Sequence, residues 1–199
     1  NDIDVHALTA SKVFEVPIEE VTKDMRRKAK AVNFGIVYGQ SKYGLAKSLN
    51  ISNDQAGQFI DKYFESYPKI KQYMIEKVDY VHEYGYVETL YGRKRYLGAE
   101  LSSANYQIRE FAERAAINQP LQGTAADLIK MAMIKIDEEL TKKNLKSKMV
   151  MQVHDELVFE AAKDEIEELK SIVKNGMEMG QPFKVPLEVD INCGASWKE

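Results

Sequence analysis

The segment of residues 25–39, with the sequence MRRKAKAVNFGIVYG, constrains this chain more than any other. Within it, Arg26, Lys30, Phe34 and Tyr38 follow one another at steps of four residues. On an α-helix a step of four advances only about 40° past a full turn, so the side chains form a slowly drifting stripe roughly 18 Å long. Two cations come first and two aromatic rings follow. This order matches a ligand with phosphates at one end and a flat ring at the other, such as a nucleoside triphosphate.

The other side of this predicted helix is apolar and can face a core: Met25, Ala29, Val32 and Ile36. Taken singly, cations on a helix usually belong to a solvated face, and rings at helical spacing usually belong to a core. A stripe that mixes the two suits neither interpretation. Gly35 and Gly39 each cost about 1 kcal/mol of helix propensity against alanine. We therefore predict a close backbone approach at Gly35 and the end of the helix at Gly39.

One pattern in this segment resembles the fingers-helix motif of the family A DNA polymerases: Arg26-Arg27-x-x-Lys30-x-x-Asn33-Phe34-Gly35-x-x-Tyr38-Gly39. The resemblance implies that Arg26 and Lys30 hold triphosphate oxygens and that Lys30 donates a proton to the leaving pyrophosphate. It places Phe34 beside the sugar and base, and Tyr38 near the template base. It also gives His6, twenty residues before Arg26, a part in holding the incoming triphosphate, although a lone histidine is more often structural.

A second decisive stretch is residues 148–161, KMVMQVHDELVFEA. Two apolar runs flank His154 and Asp155, which predicts a β-hairpin with these residues at the tight turn. Asp155 and Glu156 can bind a hard divalent cation, which prefers oxygen ligands. Alone, an Asp-Glu pair at a turn more often only stabilises the turn. The run from Val153 to Glu156 resembles the family's palm motif, which implies that Asp155 binds metal and that His154 and Glu156 lie beside the primer end.

Arg114, Asn118 and Gln122 form another series with steps of four, and all three carry side-chain donors. The DNA minor groove offers an acceptor at every base pair, so donors there can test pairing geometry without reading sequence. Residues 118–127, NQPLQGTAAD, resemble the family's palm helix, whose matching positions contact the primer–template. Pro120 is expected to kink or interrupt this helix. In the alternative interpretation, Asn118 and Gln122 satisfy backbone groups at the kink.

Periodicity and capping signals predict the remaining elements. In the first half of the chain they are helices at 9–14 and 42–49, a helix opened by a Ser52–Gln55 capping box, a helix from Pro68 to Gly85 and a hairpin at 86–97 that turns near Gly92. In the second half they are a new helix capped by Thr124 and Asp127, a final helix at 164–180 and a last strand at 185–191. Trp197 is predicted to be a terminal anchor.

These elements predict an α+β fold, mostly helical with a small antiparallel sheet. The resemblance assigns residues 1–100 to a fingers subdomain and 101–199 to the later part of a palm subdomain. Net charge is −3, so the positive charge that nucleic acid needs must be local, and five of the eight residues 23–30 are indeed Lys or Arg. The one cysteine, Cys193, excludes a disulfide within the chain, and no apolar run is long enough to predict a membrane span.

The resemblance further implies nucleotidyl transfer from a dNTP to a primer 3′-OH with two Mg²⁺ ions, which need shared carboxylates. Asp155 is one of the two family aspartates. The other lies in an Asp-Tyr-Ser-x-x-Glu motif expected shortly before the equivalent of Asn1, as are the thumb and exonuclease regions. We therefore expect the upstream remainder of the polymerase chain, primer–template DNA and dNTPs as partners, an inactive isolated fragment, and a bacterial, nucleoid-associated, cytoplasmic location.

Three alternatives remain at this point. A single-subunit RNA polymerase shares the expected architecture, but the Asn33-Phe34-Gly35 triplet favours the DNA enzyme. A non-catalytic nucleic-acid-binding module that kept the fold would not need Lys30 or the Asp155-Glu156 pair. A generic helical interaction protein would need neither of the two long motifs.

Overall fold

A computed structural model describes residues 4–178 and 183–197, and these fall into two compact units, Asn1–Leu121 and Gln122–Glu199. The helices and strands follow in chain order: α1 Val5–Phe14, a 3₁₀ turn Ile18–Glu20, α2 Lys23–Val37, α3 Lys42–Leu49, α4 Asn53–Ser66, α5 Pro68–Tyr84, β1 Tyr86–Glu88, β2 Lys94–Tyr96, α6 Gly98–Leu101, α7 Tyr106–Lys142, β3 Lys148–Val153, β4 Glu156–Glu160 and α8 Ile166–Met177. The α+β prediction, mostly helical with small antiparallel sheets, is confirmed.

The helix predicted at 9–14 begins earlier, at Val5, because Asp4 caps it, whereas α4 and α5 start where the sequence signals them. Ser52 Oγ accepts the Gln55 N–H at 3.1 Å, and Gln55 Oε1 accepts the Ser52 N–H at 3.1 Å, which completes the predicted capping box of α4. Such a cap stabilises a helix by about 1 kcal/mol. Pro68 occupies the first turn of α5, and Gly85 ends this helix with a φ of 74°. Local sequence therefore sets these helix boundaries.

The buried face of α2 packs into the main core of the first unit. Ala29, Val32 and Ile36 on this face are at most 3% exposed. The core joins α2 to α3 and α4 through these buried residues: Val32, Ile36, Leu45, Ala46, Leu49, Ala56 and Tyr63. Partly buried Ile70 and Met74 of α5 pack against it. Full burial of one valine, leucine or isoleucine side chain stabilises a fold by about 1.5–3 kcal/mol. This core holds α2 from behind and leaves its opposite face outside.

The hairpin predicted at 86–97 is confirmed. Tyr86 pairs with Tyr96 and Glu88 with Lys94, and Gly92 at the turn has a φ of 80°. A second cluster anchors the hairpin against α5 and α7 through these buried residues: Val81, Val87, Leu97, Ala112, Ala115 and Ala116.

The second unit packs α8 and the β3–β4 hairpin around the later part of α7. Its core consists of these buried residues: Ile136, Leu140, Leu169, Ile172 and Val173. Helices α7 and α8 approach closely at Gly176, because a Cβ there would meet Ile136 Cγ1. The pairing of Val153 with Glu156 closes a two-residue turn at His154 and Asp155, which confirms the predicted hairpin.

The predicted interruption at Pro120 and the predicted new helix after it are wrong. The helix continues through Pro120 from Tyr106 to Lys142, and a kink at Pro120 stays a prediction. Thr124 and Asp127 therefore cap no new helix, and Thr124 is only 5% exposed inside α7. A proline inside a helix costs about 3 kcal/mol through its lost N–H and its ring. Buried α7 residues in each unit's core, before and after Pro120, favour the helix by more than this cost.

The predicted last strand and terminal anchor are also wrong. Residues 185–191 form no strand, because no described segment offers them a backbone ladder, and the Val189 N–H instead donates to Glu178 Oε1 at 3.0 Å. Trp197 is 58% exposed and anchors nothing. The final helix ends at Met177, while Gly180, its predicted end, lies outside the described residues. None of the helices in the described ranges has the length and apolar character that a bilayer crossing requires.

Candidate functional site

The stripe on α2 is exposed along its whole length. Phe34 is 46% exposed, Tyr38 is 51% exposed, and the Arg26 side chain is 46% exposed. Lys30 is also exposed, and its Nζ lies 5.8 Å from the centroid of the Phe34 ring. The rings of Phe34 and Tyr38 are nearly parallel, at 20° and 6.4 Å between centroids. Two large exposed rings in line with two cations form a surface that a packed core would not leave open.

The end of α2 confirms the prediction for Gly39, but the close backbone approach predicted at Gly35 is wrong. The helix stops at Val37, Tyr38 is the capping residue, and Gly39 takes a φ of 66°. Gly35 is buried, and a Cβ at this position would lie 2.6 Å from Gln40 Oε1. The close approach at Gly35 is therefore made by a side chain and not by backbone.

Arg26 is held by a residue that the sequence did not single out. Asp4 Oδ2 accepts a hydrogen bond from Arg26 Nε at 2.7 Å, while Asp4 Oδ1 accepts the N–H groups of His6 and Ala7 as the N-cap of α1. The Arg26 guanidinium, together with these backbone N–H groups, holds the pKa of Asp4 below its usual range. The signal that could have found Asp4 is an N-cap aspartate two residues before His6.

His6 joins the stripe through α2. His6 Nδ1 lies 2.9 Å from Asn33 Nδ2, and its ring lies 5.7 Å from the Phe34 ring, centroid to centroid. Partial burial lowers the pKa of His6. Asp4 acts in the opposite direction, and the positive charges of Arg26 and Lys30 lower this pKa further. The structure therefore brings His6, Arg26, Lys30 and Phe34 together, as predicted.

A buried hydroxyl lies behind His6, and sequence reasoning did not identify it. Thr9 is fully buried, and its Oγ1 lies 3.1 Å from Asn33 Oδ1 and 3.3 Å from the Tyr67 hydroxyl. Polar groups joined in this way connect α1, α2 and the end of α4. Only the tertiary structure brings these residues together, since Thr9 and Tyr67 are 58 positions apart.

Beside the two rings of the stripe lies an open pocket of about 640 Å³. Its lining residues include Phe34, Tyr38, Gln40, Glu110 and Arg114. Arg114 Nη1 pairs with Glu110 Oε2 at 3.1 Å, and a Cβ at Gly39 would lie 2.7 Å from Arg114 Cγ. Gln40 and Glu110 were not predicted as site residues, because neither lies in one of the motifs.

Asn118 contacts the end of α2. Its Nδ2 donates to the carbonyl oxygen of Val37 at 3.4 Å, so it satisfies a backbone group at the end of α2 and not at Pro120. Arg114 and Asn118 belong to the first unit, whereas Gln122 is an exposed residue of the second. All three lie in α7, and Gln122 does so because the helix continues past Pro120.

The acidic turn lies in the second unit. His154, Asp155 and Glu156 are all exposed there, and His154 has a φ of 54°. The His154 carbonyl accepts Gln152 Nε2 at 3.0 Å, which holds the turn. The part of the chain that the structure describes contains no group of three His, Cys, Asp or Glu side chains that could hold a metal ion. Within the described residues, Asp155 and Glu156 therefore do not form a complete metal site by themselves.

The sequence model of DNA polymerase family A matches residues 1–199. The chain is 53% identical over 197 residues to DNA polymerase I of Bacillus subtilis (strain 168), covering 99% of this chain and 22% of that protein. It is 50% identical over 199 residues to DNA polymerase I of Caldicellulosiruptor bescii, covering 100% of this chain and 23% of that protein. This chain thus spans less than a quarter of the length of these relatives.

A solved structure is also similar, the POL domain of Pol1 from M. smegmatis in complex with DNA primer-template and dNTP. The TM-score is 0.87 at 46% identity, covering 93% of this chain and 32% of that chain.

Proposed function

Because this chain belongs to DNA polymerase family A, we propose that it forms part of an enzyme that extends a DNA primer along a template. The reaction transfers a nucleotidyl group from a dNTP to the primer 3′-OH. The observation that carries this proposal is the exposed stripe of α2, with two cations followed by two rings above a buried core. The similar M. smegmatis domain, which was solved in complex with primer-template and dNTP, supports the same ligands.

The cationic end of the stripe is proposed to bind the triphosphate. Arg26 is a planar donor that suits two phosphate oxygens at once, and Lys30 is a compact charge that can approach a single oxygen. His6 adds a third polar group on the same side. Phosphoryl transfer depends mainly on positioning and charge neutralisation, so these residues hold the triphosphate in line, and Lys30 protonates the leaving pyrophosphate.

The aromatic end is proposed to bind the sugar and the bases. Phe34 packs beside the sugar and base of the incoming nucleotide, and Tyr38 lies near the template base. About half of each residue is exposed, which leaves ring surface for stacking against a flat ring.

Donors on α7 are proposed to contact the primer–template. Arg114 keeps further N–H groups beside the one bound to Glu110, and Asn118 keeps a second amide N–H beside the one bound to Val37. Gln122 is exposed and carries the same amide donor. Donors of this kind test minor-groove acceptors at every base pair and need not distinguish one sequence from another.

The acidic turn is proposed to bind Mg²⁺. Polymerases of this family use divalent metal ions. Mg²⁺ is bound through one or two carboxylates together with substrate phosphates and water, so the exposed oxygens at the turn fit part of its shell. Asp155 would hold the metal, with Glu156 and His154 beside the primer end. A metal held there would supply positive charge that favours phosphoryl transfer. The family's other aspartate is expected upstream of this segment.

Residues 1–100 are proposed to act as fingers and 101–199 as the later palm. We expect the enzyme to work in the cytoplasm on nucleoid DNA. The 199-residue chain alone is not expected to extend a primer, because the family's first metal-binding motif is absent from it.

A chimaera tests the proposal. Residues 1–199 replace the matching segment of DNA polymerase I from Bacillus subtilis, to which they are 53% identical. We expect the chimaera to extend a primer, and Lys30→Ala to slow incorporation by about 10²–10³-fold, the usual effect of removing one preorganised charge-stabilising group. Lys69→Ala, at an exposed lysine of α5, is the matched control and keeps the rate. Near-normal incorporation by Lys30→Ala would remove Lys30 from the site. DNA binding without incorporation by the unchanged chimaera would favour a non-catalytic binding module.

A further inference from the structure

We propose that Asn33 is a positioning residue that holds His6 as the neutral tautomer with its proton on Nε2. The ring then offers an N–H donor, and not a lone pair, to the oxygens of the incoming triphosphate. The identity of that ligand rests on the function proposed above. The tautomer itself depends only on contacts within the first unit.

The buried hydroxyl of Thr9 contacts the side chain of Asn33. Thr9 Oγ1 donates toward the carbonyl oxygen of Val5 at 2.8 Å and toward Asn33 Oδ1 at 3.1 Å, so these two acceptors share its one hydroxyl proton. The Tyr67 hydroxyl, at 3.3 Å, supplies a proton to the vacant lone pair of Thr9 Oγ1. These donors orient the Asn33 amide with its oxygen toward Thr9.

With the oxygen of Asn33 bound to Thr9, the amide nitrogen faces His6. Asn33 Nδ2 lies 2.9 Å from His6 Nδ1. An amide NH₂ group can only donate, so His6 Nδ1 must accept and cannot carry a proton. A neutral imidazole has one N–H, which is then on Nε2. Asn33 therefore selects the tautomer, because the hydrogen bond at one ring nitrogen determines whether the other nitrogen carries the proton.

The surroundings keep this ring neutral. Arg26 and Lys30 are the cations that face His6 and disfavour its protonation, as partial burial does, while Asp4 acts in the opposite direction. Asp4 is already paired with Arg26 at 2.7 Å. A neutral donor beside two cations adds a hydrogen bond for the triphosphate without a third positive charge to desolvate.

The first test reads the tautomer directly. The 199-residue chain, labelled with ¹⁵N-histidine, has three histidines, and His6→Gln identifies the resonances of His6. We expect the His6 Nδ1 resonance far downfield of Nε2, the signature of the Nε2–H form. In Asn33→Asp the carboxylate accepts from Nδ1–H, so the two shifts should exchange and the pKa of His6 should rise. A native His6 that shows Nδ1–H, or an average of the two tautomers, overturns the proposal.

A second test separates positioning from structural support. In the chimaera, Asn33→Leu should raise KM for dNTP about tenfold with a smaller change in kcat, the effect of weakening one hydrogen bond to a charged group. In a His6→Ala background the same change should add nothing, whereas an equal loss in both backgrounds would show a structural role and overturn the proposal. Thr9→Val should reproduce part of the loss, and Thr9→Ser should restore KM.

The two proposals can fail separately. If the NMR shifts give the Nε2–H form but His6→Ala leaves KM for dNTP unchanged, the triphosphate role of His6 is refuted while the positioning by Asn33 stands. If His6→Ala raises KM for dNTP but the NMR shifts give the Nδ1–H form, the positioning by Asn33 is refuted while the triphosphate role of His6 stands.

Discussion

Gly39, at the end of α2, gives a prediction whose magnitude follows from the structure. A side chain at this position faces two obstacles. The backbone has a φ of 66°, and a Cβ would lie 2.7 Å from Arg114 Cγ. Two other glycines of the same unit separate these effects. Gly92 has a φ of 80° but no atom near its Cβ position, whereas Gly57 lies within α4 with nothing within 4 Å.

The three alanine substitutions should therefore differ in sign and size. At Gly57, alanine should stabilise the chain by about 0.5–1 kcal/mol, the helix-propensity difference. For Gly92→Ala, a left-handed conformation costs about 1–2 kcal/mol, partly offset by about 0.4–1 kcal/mol from the less flexible unfolded chain. Gly39→Ala adds the displacement of Arg114 into an off-rotamer conformation, about 0.5–1.5 kcal/mol more. We expect a net destabilisation of about 1 kcal/mol at Gly92 and about 2 kcal/mol at Gly39.

Urea unfolding of the 199-residue chain, followed by circular dichroism, measures these differences. The expected order of midpoints is Gly57→Ala above the native chain, then Gly92→Ala, then Gly39→Ala. In the chimaera only Gly39→Ala should also impair primer extension, because it alone displaces Arg114 from the pocket beside the stripe. A Gly39→Ala midpoint equal to that of Gly92→Ala would refute the inferred contact between Gly39 and Arg114.

Three further predictions concern single residues. In the chimaera, Phe34→Tyr should relax discrimination against dideoxynucleotides in primer extension, and unchanged selectivity would contradict the placement of Phe34 beside the sugar. Arg26 lowers the pKa of Asp4 below 3.8, so their contact should stabilise the chain above that pH and lose its effect as the pH falls through the lowered value. Unfolding midpoints against pH should show this loss in the native chain and not in Asp4→Asn. Gly176→Ala should overpack against Ile136, lower the free energy of unfolding of the second unit by about 1–3 kcal/mol and so lower its urea midpoint. An unchanged midpoint would contradict the close approach of α7 and α8.

Local sequence signals predicted most elements of this fold. The Ser52–Gln55 capping box, the proline at the start of α5 and the terminal Gly85 act within one or two turns of chain, so their effect can be read without the tertiary structure. The exposed and buried faces of α2 followed from helical spacing for the same reason.

The wrong predictions share a different cause. Pro120 is a strong local breaker, but burial of α7 residues on both sides of it outweighs the local cost, and no window of sequence shows that burial. Residues 185–191 have strand-like composition, yet a strand also needs a partner, and partners are set by topology. Composition alone therefore overstated the sheet.

The residues of the candidate site also fall into a group that local sequence predicts and a group that it does not. Arg26, Lys30, Phe34 and Tyr38 were predictable because one helix carries them all. Asp4 and Thr9 act through contacts with α2 that span more than twenty residues of sequence. Periodicity does not register such contacts, so these supporting residues became visible only in the folded chain.

Primer extension by the chimaera with and without the Asp155 carboxylate tests whether this segment carries part of a polymerase active site. The assay contains primer–template DNA, dNTPs and Mg²⁺, and Asp137→Ala, at an exposed aspartate of α7, serves as the matched control. We expect the unchanged chimaera and Asp137→Ala to extend the primer, and we expect Asp155→Ala to fold and bind DNA without extending it. Extension by Asp155→Ala at the rate of the unchanged chimaera would show that Asp155 has no part in the reaction.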